Sequence, residues 1–519
     1  MTWQIHIPAL LIALPLLGAF VAPVFVNRRL RDIWFTALSA VVLILAFLLW
    51  RRVGAEGTAI YVMGGESWDL TLPSGMSVPI RIIMEVDAFS AFMALSGSIA
   101  SFAGAIFSLR FLDRTTGGEK FVALYFLLMT GMLGMETTGD LFNFFVFLEI
   151  SSVASYGLIA FWRNRPEAIE ASFKYMLLST IAALMVLLGI GILYGRYGVL
   201  NMAAIAKAMQ FGLPEKVALA LFVAALAMKC GSVPMHMWVP DAYSQAPAGL
   251  ACFLVSVSQA SLYGLFRISF SVYGRALDTP AVAWIIIVFG ILSMFIAVVM
   301  AVIQKEVKRL MAYHAVSQTG YMLLGVGVGL LALTHPQAMS EYGFTAMQGG
   351  IFHIINHAMY KGLLFLTAGS IFYASGTLDL NRLGGLARNM PYTTVMFVVS
   401  AAAIAGLPPV NGFVSKLLVY ESSFAVHPIL TVMALVTSIL TLASFVKVFQ
   451  SAFLGPARAR FSEVREVPRS MLVGMTVLLV AILWLSFMPT WSLSKLVGPA
   501  AQALVDQAGY IEAIMRSGL

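Results

Sequence analysis

Charge is what this chain of 519 residues has least of. Asp, Glu, Lys and Arg together make up 11% of it, against about 25% in an ordinary soluble domain. A water-soluble globule cannot cover itself with so little polar surface. Composition therefore excludes a soluble enzyme, a nucleic-acid binder and a disordered scaffold. Cysteine is nearly absent too. Cys230 and Cys252 stand in apolar stretches and match neither a metal-ligand spacing nor a disulfide framework, so they read as small buried side chains. Two cysteines cannot ligate an iron–sulfur cluster, and nothing in the chain points to flavin or nickel, so no cofactor is expected. A low-complexity linker and a separate soluble domain are missing as well.

What is present is hydrophobic length. Apolar residues make up 60% of the chain, and the mean hydropathy is +0.90. A helix needs about 20 apolar residues to cross a bilayer. Runs of that kind predict spans at about 5–26, 33–50, 87–109, 121–138, 141–162, 173–195, 216–237, 248–273, 282–303, 309–333, 345–374, 392–425, 428–454 and 470–488. The predicted fold class is an all-α polytopic membrane protein of about 14 transmembrane helices, a single membrane domain over 1–519. The first run is not read as a cleaved signal peptide, because its basic cluster Arg28, Arg29, Arg31 follows the apolar stretch.

Lys and Arg are unevenly shared among the connections. Those after odd-numbered spans carry 18, among them Arg110, Arg114, Lys120, Lys305, Lys308, Arg309, Arg458 and Arg460, and those after even-numbered spans with the tail carry 10. Basic loops stay in the cytoplasm. This orientation puts both termini outside a cell membrane. The one long polar connection, residues 54–86, then lies outside. Gly64-Gly65, Trp68, Pro73 and Gly75 punctuate it, and a small β-hairpin is expected there.

Ionisable groups at membrane depth cost roughly 2.5–3.5 kcal/mol each and usually mark ion or proton paths. The candidates in the predicted spans are Glu149, Lys229, His314, His353, His357, Lys361, Lys416, Glu421 and Lys447. Glu149 stands mid-span in Leu141-Phe-Asn-Phe-Phe-Val-Phe-Leu-Glu-Ile150; its plainer role would be a packing hydrogen bond. Lys229 precedes Gly231 and Pro234 in Ala227-Met-Lys-Cys-Gly-Ser-Val-Pro-Met-His-Met-Trp238. Proline removes a backbone donor, and such a break is tolerated at depth where it lines a hydrated cavity. Lys416 follows a second break, Ala405-Gly-Leu-Pro-Pro-Val-Asn-Gly412, with Pro408 and Pro409. Two broken spans five spans apart predict two inverted five-helix repeats, at about 121–273 and 282–454, each with a broken fourth helix. Glu421 either neutralises Lys416 or lies nearer the outer surface.

His353, His357 and Lys361 recur every four residues, a stripe roughly 12 Å long on one helix face. Two histidines so spaced can bind a metal, but no third ligand is evident, so no metal is assigned and a proton relay is the preferred reading. His314 is a weaker relay candidate nearer the cytoplasmic end. His236 and Asp241 flank the first break as cytoplasmic-side intake groups. If Glu149 and Lys229 approach to about 7 Å, their attraction is roughly 2.4 kcal/mol at an effective dielectric of about 20. Moving or neutralising the carboxylate would then load and unload the lysine.

Taken together, these residues resemble a known family: the antiporter-like subunits of respiratory complex I, of Mrp-type Na⁺/H⁺ antiporters and of membrane-bound group 4 nickel–iron hydrogenases. Phe145-Val-Phe-Leu-Glu149 looks like the family's glutamate helix. Lys229 with Val233-Pro-Met-His-Met-Trp-Val-Pro-Asp-Ala-Tyr-Ser-Gln-Ala-Pro247 looks like its lysine helix and signature loop. Lys308-Arg-Leu-Met-Ala-Tyr313, Ser317-Gln-Thr-Gly-Tyr-Met322, His353 to Gly369 and Gly406-Leu-Pro-Pro to Lys416 are similar to further family stretches. The resemblance runs from about Asp87 to Glu421. Chain length and the Met63-Gly-Gly65 outer loop look more like the Mrp D-type or hydrogenase-type branch; the long lateral helix of the largest complex I member is not expected.

The resemblance implies translocation of H⁺ or Na⁺ within a multi-subunit membrane complex, with other membrane subunits and the lipid bilayer as partners. It casts Glu149–Lys229 as the coupling pair, His353, His357 and Lys361 as the central relay, and Lys416 as guard of the outer exit. One residue departs from the pattern. Family members commonly carry a second lysine before the motif matched by Tyr263-Gly-Leu-Phe-Arg267, where this chain has Gln259. Glutamine bonds water but holds no proton. A degenerate, non-conducting structural subunit is therefore the second reading. A catalytic quinone-reducing subunit ranks third, because no quinone pocket can be argued from the residues.

Overall fold

Hydrocarbon offers the backbone no hydrogen-bond partners, so a spanning chain must satisfy its amides internally. The computed structural model describes residues 2–25, 27–63, 70–71, 77–78, 82–111, 116–456, 458, 461 and 463–516, and helix dominates them. The chain opens with α1 (Ile7–Val21) and α2 (Arg28–Glu56). The long polar connection then holds four short strands, β1 (Ala59–Val62), β2 (Leu70–Thr71), β3 (Ser77–Val78) and β4 (Ile83–Val86). β1 pairs antiparallel with β4, Ala59 opposite Val86, and β2 pairs with β3. The loop residues Gly64, Gly65, Trp68, Pro73 and Gly75, and the basic residues Arg114 and Arg460, lie outside the described residues.

Next come α3 (Ala88–Phe111), α4 (Gly118–Thr137), α5 (Leu141–Ile159), α6 (Pro166–Tyr197), the short α7 (Met202–Ala208), α8 (Leu213–Lys229), α9 (Trp238–Gln245) and α10 (Ala248–Arg267). They are followed by α11 (Ala281–Val302), α12 (Val307–Ala332), the single turn α13 (Pro336–Ala338), α14 (Phe344–Ser375), α15 (Pro391–Ala405), α16 (Asn411–Val426), α17 (Pro428–Val448) and α18 (Arg469–Phe487). Three small helices close the chain: α19 (Pro489–Trp491), α20 (Gly498–Val505) and α21 (Gln507–Arg516).

Among the described residues, 11 helices are long and apolar enough to cross a membrane. Three further predicted spans fall outside that set for visible reasons. α14 is 32 residues long but carries His353, Asn356, His357 and Lys361. The other two are broken, α8 with α9 and α15 with α16. The first break is longer than the sequence suggests. α8 stops at Lys229, and its continuation α9 ends at Gln245, beyond the predicted limit of 237. Gly231 adopts φ +78° and Pro234 has no amide to donate, so neither half can run through the gap.

Helix ends are capped by side chains where the chain turns. Asp140 accepts from the Asn143 amide at 2.7 Å to start α5, and Glu306 accepts from Lys308 and Arg309 to start α12. α10 and α12 are buried along nearly their whole length and form the axis of the molecule. α6 lies at the rim and turns Phe173, Leu177, Ile181, Leu184 and Leu188 outward, the apolar stripe of a lipid-facing helix. The C-terminal helices are not foreseen by hydropathy, since none is long enough to span. α21 packs by Tyr510 and Ile514, one turn apart and both buried.

Candidate functional site

Within a bundle this apolar the buried ionisable groups stand out, and the structure gathers them into three layers. The first is built by α5, α6 and α8. Lys229, the last residue of α8, is 4% exposed. Its amine donates to Ser152 of α5 and Ser179 of α6, each at 2.5 Å, and lies 5.7 Å from the Tyr175 ring centroid. Ser179 in turn donates to Ser152 at 3.2 Å. Glu149 sits one turn before Ser152 on the same face of α5. It is half-buried, and its Oε1 is buried without a hydrogen-bond partner among the described residues. Glu149 and Lys229 feel each other's charge but form no direct ion pair; the two serines hold the amine.

At the break, His236 is buried with Nδ1 unpartnered among the described residues. Asp241 has a different setting. Its carboxylate bridges Lys174 of α6 at 3.0 Å and Arg309 of α12 at 2.8 Å, forming a charged rim where α6, α9 and α12 meet.

The second layer centres on α14. Gln259 of α10 donates its amide to the Ile354 carbonyl at 2.9 Å and lies 3.0 Å from His357 Nδ1. A donor facing Nδ1 leaves the ring's proton on Nε2, and that nitrogen has no partner among the described residues. Lys361 is fully buried, its amine without a hydrogen-bond partner among the described residues, and is flanked by the rings of Phe365 at 5.6 Å and Phe445 at 5.9 Å. His314 of α12 packs against the same Phe445 at 4.9 Å, and neither ring nitrogen is partnered among the described residues.

The third layer joins α12, α14 and the second break. His353 meets Ser415 through Nδ1 at 2.9 Å, and through Nε2 meets Gln318 and Tyr360, both at 3.1 Å. The Tyr321 ring lies 5.3 Å from the His353 ring and 4.8 Å from the Lys416 amine. Lys416 donates to the Ile404 carbonyl at 2.8 Å, the Ala405 carbonyl at 3.4 Å and Ser438 at 3.0 Å. Those carbonyls end α15, where the helix dipole favours a cation. Two residues stand apart from these layers. Glu421 is exposed on α16, and Lys416 is bonded to carbonyls and a hydroxyl rather than to it. Lys447 donates to the Val302 and Gln304 carbonyls at 2.6 and 2.8 Å, capping α11.

Several side chains in these layers escape a reading by charge alone. Ser152, Ser179, Gln318 and Tyr321 are uncharged. Glu136 is 1% exposed with Oε2 unpartnered among the described residues, yet it lies at the end of a predicted span, where a charge reads as a boundary. Lys308 counts as a loop residue by sequence but is buried, its amine on the Ser244 and Ala246 carbonyls at 2.7 and 2.5 Å. Asp87 and Arg267 make a buried two-pronged ion pair at 2.6 Å where β4 meets α3. Among the described residues no three His, Cys, Asp or Glu side chains converge on a metal site.

This arrangement matches known proteins over most of its length. Residues 138–441 fit the family described as NADH:quinone oxidoreductase/Mrp antiporter, transmembrane. The NADH-quinone oxidoreductase subunit N of Desulforudis audaxviator is 33% identical over 92% of this chain and 95% of its own. An Na⁺/H⁺ antiporter subunit of Alkalihalophilus pseudofirmus is 30% identical over 84% of this chain and 86% of its own. Among solved structures, a chain of the Mrp complex from Dietzia superposes with TM-score 0.86 at 27% identity, over 99% of this chain and 100% of that one.

Proposed function

The chain belongs to the NADH:quinone oxidoreductase/Mrp antiporter transmembrane family, a multi-pass membrane protein, and from that premise we propose that it is an ion-translocating subunit of a multi-subunit complex. Protons, or Na⁺ as the other candidate ion, move along the three buried layers. Glu149 and Lys229 load and unload in the first, His357 and Lys361 pass the charge through the second with His314 beside them, and His353 hands it to Lys416 at the second break. His236 and the Asp241 rim serve intake from the cytoplasm. Redox chemistry, where the complex has any, resides in partner subunits.

The observation that carries this reading is the set of buried titratable atoms on His314, His357, Lys361 and Glu149 that have no partner among the described residues. A packing role would leave such atoms bonded, and a relay needs them free to bind water or an ion. The two breaks, each with a lysine beside it, support a pair of inverted repeats at about 121–273 and 282–454. The basic loops support a cell-membrane location with both termini outside. Lys229→Ala tests the core of the proposal in membrane vesicles holding the assembled complex. Ion flux is expected to vanish while the complex still assembles, and unchanged flux overturns the reading.

A second reading, a non-conducting spacer, is favoured by one observation. Gln259 stands between Ile354 and His357 and cannot carry a proton between the first layer and the second.

A further inference from the structure

The broken segment's second half, α9, is tied at both ends. At its C-terminal end the buried Lys308 amine of α12 donates to the Ser244 and Ala246 carbonyls at 2.7 and 2.5 Å. These are carbonyls that a helix end leaves without intrahelical partners. The neighbouring Arg309 grips Asp241 of α9 at 2.8 Å. At the N-terminal end, the Trp238 indole donates to the Met228 carbonyl at 2.9 Å, one residue before Lys229. The Trp238 ring also stacks on Tyr175 at 4.3 Å with the planes 26° apart, and Tyr175 is the ring beneath the Lys229 amine. Midway, the Tyr243 hydroxyl donates toward the Leu254 carbonyl and the Ser258 hydroxyl, both at 3.0 Å, beside Gln259. An unbroken run of contacts thus leads from α12 through α9 to the amine of Lys229. The same α12 carries His314, Gln318 and Tyr321, which touch the second and third layers.

We propose that Lys308 is a positioning residue: it anchors α9 as a strut that sets where the Lys229 amine sits, and so ties the first ion-holding layer to the helix that serves the other two. This rests on the ion-translocating reading above. Lys308 itself touches no translocated ion. The charged groups around the two ends are Glu306, Arg165 and Arg309 near Lys308 and Glu149 near Lys229.

The test is the pH dependence of ion flux in vesicles holding the assembled complex. Lys308→Met is expected to move the proton concentration for half-maximal flux at least threefold with the maximal rate within about twofold, and Lys308→Arg to restore it. If Lys308→Met fails to assemble, Trp238→Phe keeps the stack, removes the bond to Met228, and is expected to give the same displacement. A lower maximal rate at an unchanged half-maximal pH, or no change at all, overturns the strut. The two proposals fail separately: flux that survives Lys229→Ala sinks the translocation reading, whereas flux lost in Lys229→Ala but an unmoved profile in Lys308→Met and Trp238→Phe sinks only this inference.

Discussion

Gln259 decides more than its size suggests. Its amide reaches the Ile354 carbonyl and His357 Nδ1 at 2.9 and 3.0 Å, so a lysine there would meet the same two acceptors and add a titrating proton. Gln259→Lys is expected to raise flux several-fold in a conducting subunit, measured as proton uptake into vesicles, and to change nothing in a spacer. The sequence makes Glu149, Lys229, Lys361 and Lys416 legible because one charge inside an apolar run is conspicuous against a cost of roughly 2.5–3.5 kcal/mol. Glu136 and Lys308 are buried as the three lysines are. They hide because a charge at the end of a run looks like a boundary, and only tertiary packing turns that end inward. Ser152 and Ser179 hide for another reason: a serine in an apolar helix costs too little to draw notice, although here the pair holds the Lys229 amine.

At the scale of elements, the two breaks depend on glycines that nothing else replaces. Gly231 has φ +78°, and a Cβ there would strike Val239 at the start of α9. A Cβ on Gly412 would collide with the Ala403 carbonyl oxygen, forcing α16 off α15 and Lys416 off its carbonyls. Gly231→Ala and Gly412→Ala are each expected to cost about 1–3 kcal/mol or more and to lower the amount of assembled complex. Gly191→Ala on α6 meets nothing within 4 Å and is expected to be neutral or stabilising by up to about 1 kcal/mol; gel quantification of the complex compares all three. A second element-level device lies beside the strand pair. Glu85 of β4 accepts from Asn201 at 2.6 Å and Tyr510 of α21 at 2.7 Å, so one carboxyl ties the hairpin, the cap of α7 and the C-terminal helix together. Burial pushes its pKa up from 4.5 to about 7, against the lowering effect of those two donors and of Arg267. An acid whose folded pKa is raised contributes stability in full below the unfolded value and loses it as pH climbs. The contact is therefore firmest below about pH 4.5 and weakens up to about pH 7, by on the order of 3 kcal/mol. Hydrogen exchange of the α21 amides is expected to speed up from pH 5 to pH 8 beyond the intrinsic rate change, and Glu85→Gln to flatten that difference.

As a whole the molecule inverts the arrangement of a soluble protein, with polar and ionisable groups on its axis and an apolar rim. That inversion explains how much of the fold the sequence reveals. Hydropathy finds the spanning segments because lipid demands about 20 apolar residues from each. It misses α7 and α19 to α21, whose short helices lie outside any span and are held by tertiary contacts such as Asn201 and Tyr510 to Glu85. It also misplaces the end of the first break, because α9 is polar enough to pass for a loop. Orientation rests on loop charge alone, and the molecule offers a clean way to measure it. Lys207, in α7, belongs to a connection assigned outside, and Lys305, after α11, to one assigned inside; both side chains are exposed. The native cysteines give little background, since Cys230 and Cys252 are 4% and 0% exposed. In intact cells a membrane-impermeant maleimide is expected to label Lys207→Cys and spare Lys305→Cys, which should react only once the membrane is opened. The opposite pattern would turn the whole bundle over, putting the Asp241 rim on the outer face and reversing the direction in which Lys229 and Lys416 stand along the proposed path.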